Sequence, residues 1–198
     1  MRVLIVGATG LLGKEIVRLL SPDHQVIGAS RNGPDLSVDL AYKTSIVSMY
    51  QQLGTIDAVI CAAGAAKFAP LESLSDDDFA FSLANKLMGQ VNLVRCSVGH
   101  VTPGGSLTLT SGILSLHPVT GSAVVGIVNA GVEAFVRSAA LELRGKARVN
   151  VVSPGWVSET LTAMGQAYSA GIPVFPPRWW PRRTGEASSR TSRDRSFR

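Results

Sequence analysis

The sequence predicts an α/β domain of the doubly wound kind, a parallel sheet covered by helices on both faces. Two observations carry this. Short apolar runs alternate with helix-length amphipathic segments from Arg2 to Val152, which is the order of a βαβ chain. The short runs are also continuously apolar, as strands buried on both faces must be. A third observation is the turn Gly7-Ala8-Thr9-Gly10-Leu11-Leu12-Gly13, set between the first apolar run and the first helix.

Each element follows from its residues. Arg2 to Val6 is β-branched and apolar, of strand length, and enters the glycine turn directly. Lys14 to Leu19 then places apolar residues at helical spacing. His24 to Ala29 is a second strand, and Leu36 to Leu40 a short third. Residues 41–53 suit a helix with Ile46, Val47, Tyr50 and Leu53 on one side. Ile56 to Cys61 is a fourth strand running into Ala62-Ala63-Gly64. Asp76-Asp77-Asp78 can cap a long helix to about Val98, because carboxylates accept N–H bonds at the positive helix end. Pro103-Gly104-Gly105 follows as a breaker, then Leu107 to Thr110 as a fifth strand ending at Ser111. Residues 121–144 suit a second long helix, and Val149 to Val152 a sixth strand before Ser153-Pro154-Gly155. Right-handed crossovers give the strand order 3-2-1-4-5-6.

The chain has 198 residues, of which 45% are hydrophobic, enough for one domain with a sizeable core. No apolar run is expected to reach membrane-spanning length, and the N-terminal run lacks the build of a signal peptide. Cys61 and Cys96 are expected to be free buried thiols in a reducing, cytoplasmic setting. The net charge of +5 is uneven: residues 1–177 hold 12 Lys+Arg against 12 Asp+Glu, so the excess lies in 178–198, where seven arginines face Glu186 and Asp194. The domain is expected to occupy residues 1–162. From 163 to 198 a Pro-, Trp-, Arg- and Ser-rich stretch lacks any helical or strand period and is expected to be an irregular tail. Its arginines are not interleaved with aromatics between Trp180 and Phe197, so no nucleic-acid partner is expected.

In a doubly wound sheet, ligands sit outside the carboxyl ends of the strands. The Gly7 turn, Ser30-Arg31, Asp39-Leu40, Ala62-Ala63-Gly64, Ser111 and Pro154-Gly155 all fall at such ends. A strand, a glycine turn and a helix start in that order form a site for a pyrophosphate, approached by the backbone at Gly7, Gly10 and Gly13 and met by helix-start N–H groups. Arg31 stands where an adenosine ribose would lie. An acidic residue there would hold a free 2′-hydroxyl, whereas arginine can pair with a 2′-phosphate; NADP(H) is therefore expected over NAD(H). Asp39 can contact the adenine edge or serve as a turn residue.

Gly7-Ala8-Thr9-Gly10-Leu11-Leu12-Gly13, Asp39-Leu40, Ala62-Ala63-Gly64, Asn85 in Asn85-Lys86-Leu87-Met88-Gly89, Thr110-Ser111 and Ser153-Pro154-Gly155 together resemble the short-chain dehydrogenase/reductase family. The resemblance covers roughly residues 1–160 and implies a single Rossmann-like domain. It also implies hydride transfer between a nicotinamide cofactor and a small carbonyl or alcohol. Carried over residue by residue, it assigns cofactor contacts to Gly7, Thr9, Gly10, Leu11, Leu12, Gly13, Ser30, Arg31, Asp39, Leu40, Ala62, Ala63, Gly64, Asn129, Pro154 and Gly155. It assigns catalytic roles to Ser111, which would bind the substrate oxygen, and to Asn85, which would hold a proton-relay water. No metal is called for.

The resemblance fails at one place. The family uses a Tyr-x-x-x-Lys pair, a phenol whose pKa a nearby cation lowers toward neutrality. Val125 and Asn129 stand at those positions here, and the tyrosines are Tyr42, Tyr50 and Tyr168. His117 is the titratable residue in the loop between Ser111 and Val125. Two readings follow: an NADP-dependent oxidoreductase with an altered acid, and an NADP(H)-binding sensor without turnover. Family members commonly pair through the two long helices, here 77–98 and 121–144, so a homodimer or homotetramer is expected.

Overall fold

The computed structural model describes residues 1–33, 35–157 and 174–175. Strands β1 (Arg2–Val6), β2 (Gln25–Ser30), β3 (Leu36–Ser37), β4 (Ile56–Cys61), β5 (Val101–Thr110) and β6 (Ala147–Val152) form one parallel sheet. Its order is β3-β2-β1-β4-β5-β6, the order expected from the crossovers. Helices α1 (Leu11–Leu20), α2 (Lys43–Leu53), α3 (Asp76–Ser82), α4 (Gly89–Cys96) and α5 (Ala123–Glu142) flank it. Strand β1 shows why the strands read as unbroken apolar runs. Its Leu4 and Val6 face one layer, with Ile46, Met49 and Tyr50 of α2, Leu93 of α4 and Val132 of α5. Its Val3 and Ile5 face the other, with Ile16 and Val17 of α1. Neither side of the strand meets water, so neither side can be polar.

Three elements depart from expectation. The third strand stops after Ser37, not Leu40. Val38 still donates to the Ser30 carbonyl at 2.9 Å. Asp39 then turns the chain away, its N–H on Ser45 Oγ and its Oδ1 accepting from the Ala41 N–H, both at 2.9 Å. Side-chain bonds to nearby backbone groups compete here with the sheet ladder. The long helix expected to Val98 is α3 and α4 joined by a π-helical turn, Leu83–Met88. Its cap is Ser75, which accepts from the Asp78 N–H while Asp78 accepts from the Ser75 N–H, a reciprocal capping box. Pro103-Gly104-Gly105 does not merely end a helix; it lies inside β5. Val101 pairs with Ile56 and Ser106 with Ala58, so the pairing shifts and β5 absorbs the extra residues as a bulge.

Helix α5 corrects a further expectation. Its 20 residues are long and apolar enough to cross a membrane. Here Val124, Val128, Val132 and Val136 are buried in the body of the domain, which accounts for that face of the helix by packing. In the stretch expected to be wholly irregular, Val174–Phe175 is a two-residue strand, β8, paired in parallel with β7 (Trp156–Val157). The rest of 163–198 lies outside the described residues.

Candidate active site

The first part of the site is built by β1, its turn and α1. Gly7 has φ +89°, a region open mainly to glycine. A Cβ there would stand 2.9 Å from the Ala63 Cβ. A Cβ on Gly13 would stand 1.9 Å from the Gly7 carbonyl oxygen, so helix and strand meet with no room for a methyl. The N-cap of α1 is Gly10, which has no side chain to cap the helix, and the first turn carries no acidic residue. The helix start therefore keeps its positive end uncompensated by side chains.

A cavity of about 390 Å³ opens beside this turn. Gly7, Thr9, Gly10, Ser30, Arg31, Asp39 and Leu40 line it, as do Ala62, Ala63 and Gly64. Two residues assigned to the cofactor line neither this cavity nor the one beside it. Leu11 points out at 44% exposure, and Gly13 is buried where the helix abuts the turn. Arg31 is exposed, and among the described residues its guanidinium has no ion-pair partner. Ser30 Oγ is buried without a hydrogen-bond partner.

A second cavity of about 360 Å³ shares the wall Ala62-Ala63-Gly64 with the first, so the two are one crevice along the strand ends. Leu12, Ser111, Asn129, Pro154 and Gly155 line it. Asn129 sits on α5 with its Oδ1 buried and unpartnered. Phe68, Leu114 and Val125 pack together as an apolar wall. The π-helical turn separates two adjacent side chains. Asn85 lines the first cavity and Lys86 the second, so the structure sets Lys86, not Asn85, beside Ser111. Lys86 Nζ lies 3.5 Å from the Ser111 carbonyl oxygen.

Ser111 is tied from behind. Its Oγ donates to Glu133 Oε1 at 2.6 Å, with the Asn129 carbonyl 3.1 Å away. Ser115 and Ser153 donate to the same carboxylate oxygen at 2.8 and 2.7 Å. Burial alone would raise the Glu133 pKa, but these hydroxyls and the Arg137 charge outweigh it and hold the carboxyl below its ordinary range. No tyrosine lines either cavity among the described residues. Tyr50 is buried with its hydroxyl on the Leu93 carbonyl, Tyr42 is exposed, and Tyr168 lies outside the described residues. His117 is exposed and lines neither cavity.

This crevice fits a long ligand with phosphates near one end. It offers an uncompensated helix start and an unpaired guanidinium there, with unsatisfied buried oxygens at Ser30 and Asn129 in its two halves. A family model described as enoyl-(acyl carrier protein) reductase matches residues 23–175. The chain also superposes on a small-chain dehydrogenase in complex with NADPH, with TM-score 0.84 and 25% identity over 96% of this chain and 91% of that one. The chain belongs to the short-chain dehydrogenase/reductase superfamily. Another solved structure, the protein lin1944 from Listeria innocua, is 35% identical, with TM-score 0.88 over 94% of this chain and 92% of that chain. Hydroxynaphthalene reductase arp2 of Aspergillus fumigatus is 30% identical over 142 residues, 69% of this chain. The chain spans about half (51%) of that reductase's length.

Against this short-chain dehydrogenase/reductase frame, sequence reasoning missed three things: Lys86, the Phe68–Leu114–Val125 wall, and Glu133 gathering three serines. A signal existed for the first. Lys86 adjoins Asn85 in the motif, and no other lysine lies between it and Lys146. For Glu133 there was none, because Ser111, Ser115 and Ser153 meet only once β5, α5 and the chain after β6 are packed together.

Proposed function

We propose that this chain is an NADP(H)-dependent oxidoreductase acting on a small carbonyl or alcohol. The observation that carries the reading is the single crevice with an anion-binding end and a hydroxyl- and amine-bearing end. The N–H groups at the start of α1 suit the pyrophosphate, and the glycines at 7 and 10 let it approach the backbone. Arg31, unpaired, suits the 2′-phosphate, which favours NADP(H) over NAD(H). Ser30, Asp39 and Leu40 border the adenosine portion, and Asn129, Pro154 and Gly155 the other half. When bound, the nicotinamide group supplies or accepts hydride. Phe68, Leu114 and Val125 exclude water from the reacting end and accommodate a small apolar substrate body. Titration of the protein with NADPH and NADH by fluorescence, followed by a carbonyl screen for NADPH oxidation, tests this. Failure to bind either cofactor overturns it.

A second reading is an NADP(H)-binding sensor without turnover. It is favoured by Val125, which lines the crevice as part of an apolar cluster and cannot move a proton. Tight NADPH binding with no carbonyl reduced would select it. We infer also that copies pair through the helices, where Phe81, Met88 and Ile127 are exposed; a monomer mass by light scattering would reject this.

A further inference from the structure

We propose that Lys86 is the catalytic acid of this crevice, giving a proton to the substrate's carbonyl oxygen. This rests on the oxidoreductase reading above. Among the described residues, Lys86 is the one titratable side chain that lines the second cavity. Its aliphatic stem lies across Gly64, whose φ of +131° and missing Cβ make the room. A Cβ there would stand 2.9 Å from Lys86 Cδ and 3.3 Å from its Cα. Ser111, the hydroxyl beside it, has its single proton directed to Glu133, so it presents lone pairs to the cavity rather than a donor. The Lys86 ammonium has three donors and one acceptor, the Ser111 carbonyl. Among the described residues no carboxylate pairs with it.

Its surroundings suit the task. Burial lowers its pKa, and the buried Cys61 thiol on β4 opposes that only in part. The titratable group facing it is that thiol, itself pushed up to about 11 by burial; the Glu133 carboxylate of α5 is engaged by the Ser111 hydroxyl. An ammonium with a lowered pKa is a better acid near neutrality than an ordinary lysine.

The step balances as follows. A carbonyl becoming an alcohol gains a hydride at carbon, from the reduced nicotinamide dinucleotide, and a proton at oxygen. A Lys86 Nζ–H bond breaks and the O–H bond forms. The neutral amine left behind takes a proton from solvent water. In alcohol oxidation the amine takes the proton back.

The test compares the wild type with Lys86→Met, which keeps an apolar stem over Gly64, and with Lys86→Arg, which keeps the charge but cannot release a proton. Both variants are expected to fold and to bind NADPH by fluorescence. Their kcat for carbonyl reduction is expected to fall about 10²–10⁴-fold, the usual worth of a placed general acid. The wild-type rate is expected to fall as pH rises through a value below that of an ordinary lysine, with this limb missing in Lys86→Met. Side-chain NMR of lysine-labelled protein gives a readout without turnover. The resonance absent in Lys86→Arg is expected to titrate below the others and to shift when NADPH is added. Lys86→Met with kcat within tenfold of the wild type overturns the proposal while leaving the oxidoreductase reading intact, and so does an ordinary titration of Lys86. NADPH binding with no carbonyl turned over by the wild type defeats the oxidoreductase reading and this role with it.

Discussion

Two helical glycines in this fold are expected to answer the same substitution with opposite signs. In the α1 helix, Gly13→Ala would place a methyl 1.9 Å from the Gly7 carbonyl oxygen, 2.7 Å from the Gly7 carbonyl carbon and 2.9 Å from the Ala8 Cα. All three are backbone atoms, so no side chain can rotate away. Ordinary contact begins near 3.4 Å, and helix α1 must therefore slide off the turn. In α5, Gly126→Ala meets only the Leu114 carbonyl oxygen, at 3.5 Å. Alanine is favoured over glycine inside a helix by about 1 kcal/mol. For Gly126→Ala that gain stands nearly alone, and the midpoint should rise by about 2–4 °C for a chain of this size. For Gly13→Ala the same gain is opposed by an overpacking cost of about 1–3 kcal/mol or more, so the midpoint should fall. Moving α1 also displaces the N–H groups proposed to hold the pyrophosphate, so NADPH binding should weaken beyond what the stability loss accounts for. Thermal unfolding with and without NADPH measures both effects. A Gly13→Ala protein as stable as the wild type that binds NADPH equally well would refute the argument that this close approach is what shapes the site.

Arg31→Asp should reverse cofactor preference, weakening NADPH by about 1.5–3 kcal/mol, the worth of hydrogen bonds to a charged group, while sparing or improving NADH; paired fluorescence titrations check it. Asn129→Leu removes a buried oxygen that has no partner, so folding stability should hold or rise by up to about 1 kcal/mol while NADPH affinity falls. Chemical denaturation and binding on one sample separate the two. Glu133→Gln tests the serine cluster. A carboxyl whose folded pKa is depressed contributes stability above its unfolded pKa, near 4.3, and loses it as pH falls through the lower folded value. The wild type should therefore lose stability over that acid range more steeply than Glu133→Gln, as followed by acid titration with circular dichroism.

The sheet was legible because its physics is local. Strands such as Arg2–Val6 must be apolar on both sides, and that shows in any window of the chain. The ends of elements were less so. Nothing in Leu36 to Leu40 announces that the Asp39 side chain will take over from the ladder after Ser37. The first cavity was largely legible too, since the turn, Ser30-Arg31 and Asp39-Leu40 each follow a strand, and strand ends converge. Leu11 and Gly13 line neither cavity, because a glycine motif gives spacing but not direction. One points to solvent, and the other makes room for backbone. The second cavity was hardest. Glu133 lies 22 residues from Ser111 in the chain, and the carboxylate finds its hydroxyls only through tertiary packing. Asn85 was assigned from the motif alone, which does not show that a π-helical turn sets Asn85 in the first cavity and Lys86 in the second.

That turn has a wider consequence. A π-helical turn accommodates one residue more than an α-helical turn does, so it acts as a one-residue insertion stored inside a helix. Here the helix on either side keeps its packing, with Ser82 buried before the turn and Gln90, Leu93 and Val94 after it. Between those fixed ends the order of side chains facing the crevice is shifted, giving an amide to one compartment and an amine to the next. A change in the chemistry of such a site then requires no new loop and no change to the sheet, only a slip of the helix thread by a single residue.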